Sequence, residues 1–121
     1  MKRVYGIRGA TTVSANKKEC IIEETQKLLQ AIFQGNAIAT ADLVSIIFTS
    51  TVDINAEFPA KAARLMGLND IPLLGCLEAD VPDGLPFCIR VLLHVYLEEG
   101  TKIKHFYLND AVKLRPDLRK N

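Results

Sequence analysis

The sequence has few of the residues that form disulfide frameworks and metal centres. It contains three cysteines, Cys20, Cys76 and Cys88, without CxxC spacing, and its two histidines lie far from any cysteine pair. This pattern favours neither a disulfide framework nor a zinc site. We therefore interpret the cysteines as small buried hydrophobes in a reducing cytoplasm, and we expect no bound metal.

The sequence also lacks an excess of charge and a long apolar run. Lysine and arginine together number 15 against 14 acidic residues, which gives a net charge of +1. This balance argues against a nucleic-acid partner, because there is no basic excess to neutralise phosphates. No apolar run approaches the roughly 18 residues of a membrane span, and the charged start has no following signal-peptide stretch. We expect a cytoplasmic protein with no membrane partner.

What is present is the composition of an ordinary globular protein. The chain has 121 residues, of which 49% are apolar and 24% are charged. This size predicts a single domain over residues 1–121 with a core of modest volume. A chain this small encloses a deep pocket with difficulty, so a site shared between subunits is a reasonable expectation.

Two segments have the pattern of helices. The first follows Asn16 and Glu19, which have capping-box spacing, and Gly35 is a suitable stop. Proline at the start, alanines in the middle and a final glycine predict a second, shorter helix over residues 59–67. The apolar stripe of the first helix consists of Ile21, Ile22, Thr25, Leu28, Leu29, Ile32 and Phe33.

Five further segments are rich in β-branched and apolar residues and predict strands, at residues 4–13, 43–51, 71–76, 87–97 and 103–108. The order is strand, helix, strand, helix and then three strands. The expected class is therefore α+β, with a mixed β-sheet and helices packed on one face.

Arg90 lies in the middle of the longest predicted strand. Strand alternation places it on the face opposite the apolar residues Val91 and Leu93. An arginine there needs a partner, because an unpaired charge is costly to bury. It is either an ion-paired or surface arginine, or an anion-binding guanidinium in a pocket.

Several other charged residues pose the same question. Arg8 lies close to two glycines in the first strand, and Lys61 and Arg64 share one face of the short helix. Arg115 is an isolated cation in the tail, and Glu78 ends the third strand. The cations are either solvated or converge on a small polyanionic ligand. The acid Glu78, at a strand end before a loop, is either solvated or part of a site. The sequence has no GxSxG elbow or P-loop, so an enzyme built from it would act by positioning and electrostatics.

Four strings of residues, in order and in register, resemble the AroH-class chorismate mutases. They are residues 6–13 (GIRGATTV), 58–62 (FPAKA), 88–91 (CIRV), and Tyr107-Leu108 followed by residues 114–118 (LRPDL). The resemblance implies conversion of chorismate to prephenate by a Claisen rearrangement in aromatic amino acid biosynthesis. It also implies a homotrimer of pseudo-α/β-barrel form with active sites between subunits and no cofactor or metal.

The resemblance also implies roles for individual residues. Arg90 matches the arginine that contacts the ether oxygen of the breaking bond. Arg8 and Tyr107 match residues that bind a substrate carboxylate, and Glu78 matches a glutamate that accepts a hydrogen bond from the ring hydroxyl. Cleft-lining positions are matched by Phe58 and Leu114, and positions at the entrance or in the closing tail by Ala60, Lys61, Arg64 and Arg115.

The sequence departs from the family pattern at one position. The family often has a cysteine three residues before the glutamate, and that position here is Gly75, with Cys76 one residue later. Either Cys76 supplies the contact through a shifted loop, or the contact is absent.

Two other classes of protein remain as alternatives. One is a trimeric protein that binds or senses a small metabolite. The other is a hydrolytic or deaminating enzyme on a similar trimer, which would need an activated water or a thiol, and only Cys76 or Cys88 could serve. The set of Arg8, Glu78, Arg90 and Tyr107 in register favours the mutase, because a generic binding protein does not require it.

Overall fold

A computed structural model describes residues 1–114, and its order of elements confirms the sequence-based expectation. The strands are β1 to β5 and the helices α1 and α2; short 3-10 helices cover Thr40–Asp42 and Asn109–Lys113. The bounds are β1 Lys2–Thr12, α1 Lys18–Gly35, β2 Leu43–Ser50, α2 Pro59–Leu65, β3 Leu73–Leu77, β4 Cys88–Glu98 and β5 Phe106–Tyr107.

The strands form one mixed sheet in the order β3-β2-β4-β1-β5. The longest strands, β4 and β1, pair antiparallel along their whole lengths, and β2 is antiparallel to β4 on its other side. The edge strands β3 and β5 run parallel to β2 and β1. The α+β class with a mixed sheet is confirmed.

The core lies between the two helices and one face of the sheet. Leu28 and Leu29 of α1 and Ala63 of α2 share one buried cluster with Leu93 and Val95 of β4. The predicted alternation in β4 is confirmed at its centre, since Val91 and Leu93 are buried and Arg90 between them is exposed. Within residues 1–114, no helix combines the length and apolarity that crossing a membrane requires.

Gly9 and Gly35 are needed where elements approach closely. A Cβ added to Gly9 would lie 2.7 Å from Ile32 Cδ1, so α1 packs directly against the backbone of β1. A Cβ added to Gly35 would overlap the Phe106 ring. These positions hold the first helix against both β1 and β5.

Two local predictions were wrong. Asn16 does not form a capping box, because its Oδ1 accepts the backbone N–H groups of Asn55 and Ala56 instead. The fifth strand has only two residues, not six. Before it, the Asn36 side chain pairs with both the N–H and the C=O of Lys104, which replaces strand pairing there.

Candidate active site

A single row of paired residues crosses all five strands on the sheet face opposite the helices. In this row Cys76 pairs with Thr49, Thr49 with Arg90, Arg90 with Ala10, and Ala10 with Tyr107. Directly paired residues point to the same face of a sheet. Strand alternation thus presents the Thr49, Arg90 and Tyr107 side chains together.

A cavity of about 440 Å³ opens on this face. Five of the residues that the sequence nominated for the site line it, and they come from β1, β4, β5, the end of β3 and the last described residue. These residues are Arg8, Glu78, Arg90, Tyr107 and Leu114.

Arg90 and Glu78 form an ion pair within this cavity. Arg90 Nε lies 3.3 Å from Glu78 Oε2, and 48% of the Arg90 side chain remains exposed. The same carboxylate oxygen accepts a hydrogen bond of 2.6 Å from the Thr49 hydroxyl. Arg90 is therefore ion-paired, and it also lies in a pocket. A pair this exposed contributes little to stability, so the guanidinium can engage a ligand.

The chain on both sides of β5 is attached to β1 by side chains. Arg8 N–H donates to His105 Nδ1 at 3.0 Å. Asn109 adopts a positive φ of 53°, and its amide donates to Thr11 Oγ1 and to the Thr12 carbonyl. These contacts fix the path that brings Leu114 to the cavity. Arg115, which the sequence also nominated, lies outside the described residues.

Four of the remaining residues proposed from the sequence lie at a second cavity, of about 650 Å³, between the start of α2 and the edge strand β3. Phe58, Ala60, Arg64 and Cys76 line it, and 72% of Phe58 is exposed. Thr49 lines both cavities. Within one chain, the residues that the sequence proposed for the site are therefore divided between two cavities.

Lys61 does not line the second cavity, but it forms an ion pair with Glu57, which does. Its Nζ lies 3.4 Å from Glu57 Oε2, and Lys18 Nζ lies 3.8 Å from the same oxygen. The Phe58 N–H donates to Glu57 Oε1. This backbone hydrogen bond, with Lys61 nearby, holds the pKa of Glu57 below its usual value.

The cysteines near the site differ in environment. Cys88 is buried as expected, but the expectation was wrong for Cys76 and Cys20. Cys76 is exposed because its pairing with Thr49 puts it on the open face, and Cys20 is only partly buried. Gly75 pairs with the buried Phe48. Burial raises the pKa of the Cys88 thiol, which therefore stays protonated at neutral pH. A protonated buried thiol is a poor nucleophile. Among residues 1–114, no three His, Cys, Asp or Glu side chains are grouped to hold a metal ion.

Thr49 is a polar residue of this face that the sequence analysis did not propose for the site. The signal was available: in β2, Ser45, Ile47 and Thr49 alternate with the buried Ile46 and Phe48. A threonine on the same face as Arg90 could have been nominated from this alternation alone.

Comparison with known proteins gives one consistent result. The model of the family "Chorismate mutase type I" matches residues 4–118. Chorismate mutase AroH of Thermus thermophilus is 43% identical over 117 residues, 95% of this chain and 96% of that protein. The protein of the same name from Bacillus subtilis is 42% identical, over 95% of this chain and 92% of that one. The solved structure of a chorismate mutase from Clostridium thermocellum has a TM-score of 0.86 and 50% identity, covering 88% of this chain and 96% of that one.

Proposed function

The chain belongs to the type I chorismate mutase family, and we propose that it converts chorismate to prephenate without a cofactor. The protein is an isomerase acting in aromatic amino acid biosynthesis. The observation that carries the proposed mechanism is that Arg8, Glu78, Arg90 and Tyr107 line one cavity.

The first requirement of the reaction is to hold a dicarboxylate in a compact form. Arg8 and Tyr107 are the groups that we assign to the substrate carboxylates, because a guanidinium and a phenol both donate hydrogen bonds to an anion. Glu78 accepts a hydrogen bond from the ring hydroxyl. These contacts favour the chair-like conformer in which the two carbons that bond lie close together.

The second requirement is to stabilise the charge that develops as the ether bond breaks. The rearrangement is unimolecular and transfers no proton to the protein. Negative charge grows on the ether oxygen in the transition state, and we assign its stabilisation to the Arg90 guanidinium. A fixed cation there stabilises the transition state more than the bound substrate, which is the condition for a higher kcat.

We further propose that each active site combines two subunits of a pseudo-α/β-barrel homotrimer, with one domain per subunit. Support comes from the division of the nominated residues between two cavities and from the exposure of Phe58. In this arrangement Phe58, Ala60, Lys61, Arg64 and Cys76 of one chain would close the Arg90 cavity of its neighbour. Light scattering should give a trimer, and a stable monomer with full activity would contradict this part of the proposal.

The activity itself is tested by the fall in chorismate absorbance when purified protein is added. We expect turnover to prephenate at the same rate with and without EDTA, because the proposed chemistry uses only side chains of the chain. Absence of turnover would reject the proposed function, and loss of turnover restored by a divalent ion would reject its cofactor-free form. The three free cysteines, Cys20, Cys76 and Cys88, fit the cytoplasmic location that we propose.

A further inference from the structure

We propose that Thr49 is a positioning residue that fixes the Glu78 carboxylate in the orientation that receives the substrate. The inference rests on the chorismate mutase activity proposed above. Thr49 belongs to none of the strings that carry the family resemblance, and its assignment comes only from its contacts.

The first argument is the geometry at one carboxylate oxygen. Thr49 Oγ1 donates to Glu78 Oε2 at 2.6 Å. Arg90 Nε approaches the same oxygen at 3.3 Å. Neither contact uses Oε1, which is the oxygen that we assign to the substrate's ring hydroxyl. A short hydrogen bond to an ionised acceptor is among the stronger ones in proteins, so the Thr49 contact is the better anchor of the two.

The second argument is that Glu78 needs an anchor. Glu78 lies directly after β3, and its backbone N–H donates a hydrogen bond to the Ser50 carbonyl. The side chain beyond that point has several rotatable bonds. The other contact that holds it is the half-exposed Arg90, and ion pairs of this kind contribute little. Without the hydroxyl, the carboxylate would sample several orientations.

The third argument is that the Thr49 side chain is itself rigid and can therefore fix the orientation of the Glu78 carboxylate. It lies within β2, directly between Cys76 of β3 and Arg90 of β4 in the paired row. A β-branched side chain has restricted rotation about χ1. Its hydroxyl is therefore carried on a rigid strand at the point where the two cavities meet.

The test is Thr49→Val, which replaces the hydroxyl with a methyl group of similar size in a residue favoured in strands. We expect kcat/KM to fall about tenfold, as for loss of a hydrogen bond to a charged group. Most of this fall should lie in KM, because the ring hydroxyl is bound alike in the substrate and in the transition state. A purely structural defect would instead lower the active fraction and leave KM unchanged.

Two further variants complete the comparison. Thr49→Ser restores a hydroxyl and should stay within about threefold of the parent, whereas Thr49→Ala should resemble Thr49→Val. Ser45→Ala is the matched control: Ser45 lies on the same strand and face, its hydroxyl bonds His94 Nδ1 at 3.0 Å, and it lies outside the described lining of both cavities. We expect this control to leave kcat and KM unchanged. Parental KM in Thr49→Val, or equal losses in the Ser and Val variants, would overturn the proposal.

Coupling to Glu78 separates positioning from any independent effect. In a Glu78→Ala background, Thr49→Val should change kcat/KM by less than about twofold, because the group it positions is gone. A full additional tenfold loss would show that Thr49 acts on something else.

A readout without turnover separates this inference from the proposed function. If the parent protein fails to convert chorismate, the proposed function fails, and crystal structures of the parent and Thr49→Val still decide the positioning claim. We expect the Glu78 carboxylate to leave its place beside Arg90 Nε in the variant. A carboxylate that keeps its position would overturn the claim.

Discussion

The two faces of the sheet differ in what their side chains do, although the same strands supply both. On the face covered by the helices, β4 contributes Val91 and Leu93, both buried in the core. On the open face the same strand contributes Arg90, which is half exposed and lines a cavity. Adjacent residues of one strand therefore serve stability and chemistry separately. Substitutions on the two faces should affect stability and rate independently.

The largest expected effect is on the open face. Arg90→Ala should lower kcat by a factor on the order of 10³, as for loss of an oxyanion-hole donor. KM should change much less, because Arg8 and Tyr107 would still hold the carboxylates. The free energy of unfolding should change by less than about 1 kcal/mol, since the ion pair with Glu78 is exposed. Steady-state kinetics measures kcat and KM, and urea unfolding measures the free energy of unfolding. A large loss of stability at unchanged kcat would break the comparison.

The corresponding change on the helix-covered face is Leu93→Ala. Leu93 is fully buried, so removing its side chain should lower the free energy of unfolding by about 2–5 kcal/mol. Urea denaturation measures this loss. We expect kcat per folded molecule to stay close to the parent value, provided that the assay temperature keeps the variant folded. A fall in kcat as large as that of Arg90→Ala would show that the faces are not independent.

A smaller contrast lies within the open face, between Glu78 and Cys76. Glu78→Ala should lower kcat/KM by about 10- to 100-fold, because a carboxylate accepts a charge-assisted hydrogen bond. Cys76→Ala should change it by less than about threefold, because a thiol is a weak hydrogen-bonding group. Kinetics on both variants, with circular dichroism to confirm folding, decide the ranking. The reverse order would mean that this edge of the site is wrongly located.

The smallest effect concerns the pH dependence of stability near the second cavity. The pKa of Glu57 is lowered by the Phe58 N–H and by Lys61. A carboxylate with a lowered folded-state pKa contributes stability above its usual pKa, and this contribution is lost as pH falls through the lowered value. The stability difference between the parent and Glu57→Gln should thus be present at neutral pH and vanish under acid. If urea unfolding gave a stability difference between the parent and Glu57→Gln that did not change with pH, the lowered pKa of Glu57 would not be its cause.

The sequence predicted features of the sheet that depend on neighbouring residues, but not those that depend on contacts between residues distant in the chain. Alternation in β4 assigned Leu93 and Arg90 to opposite faces, because strand periodicity is a local property. The shortness of β5 was not predictable, because it results from the Asn36 side chain, 68 residues away, pairing with Lys104. Asn16 was misread for the same reason, since its partners at Asn55 and Ala56 come from a distant loop.

The site was nominated by resemblance more than by pattern. Local sequence patterns do not connect four of the residues that line the cavity. Only the family resemblance groups them, and they are Arg8, Glu78, Arg90 and Tyr107. Their meeting in one cavity depends on strand pairing across the sheet, which no local pattern encodes.

The most direct test of the electrostatic account is citrulline at position 90, which keeps the planar shape of Arg90 and removes its charge. The account predicts that kcat falls by most of the loss seen with Arg90→Ala, while KM changes much less. Turnover at the rate of the arginine enzyme would contradict it, because shape and positioning alone would then explain the catalysis.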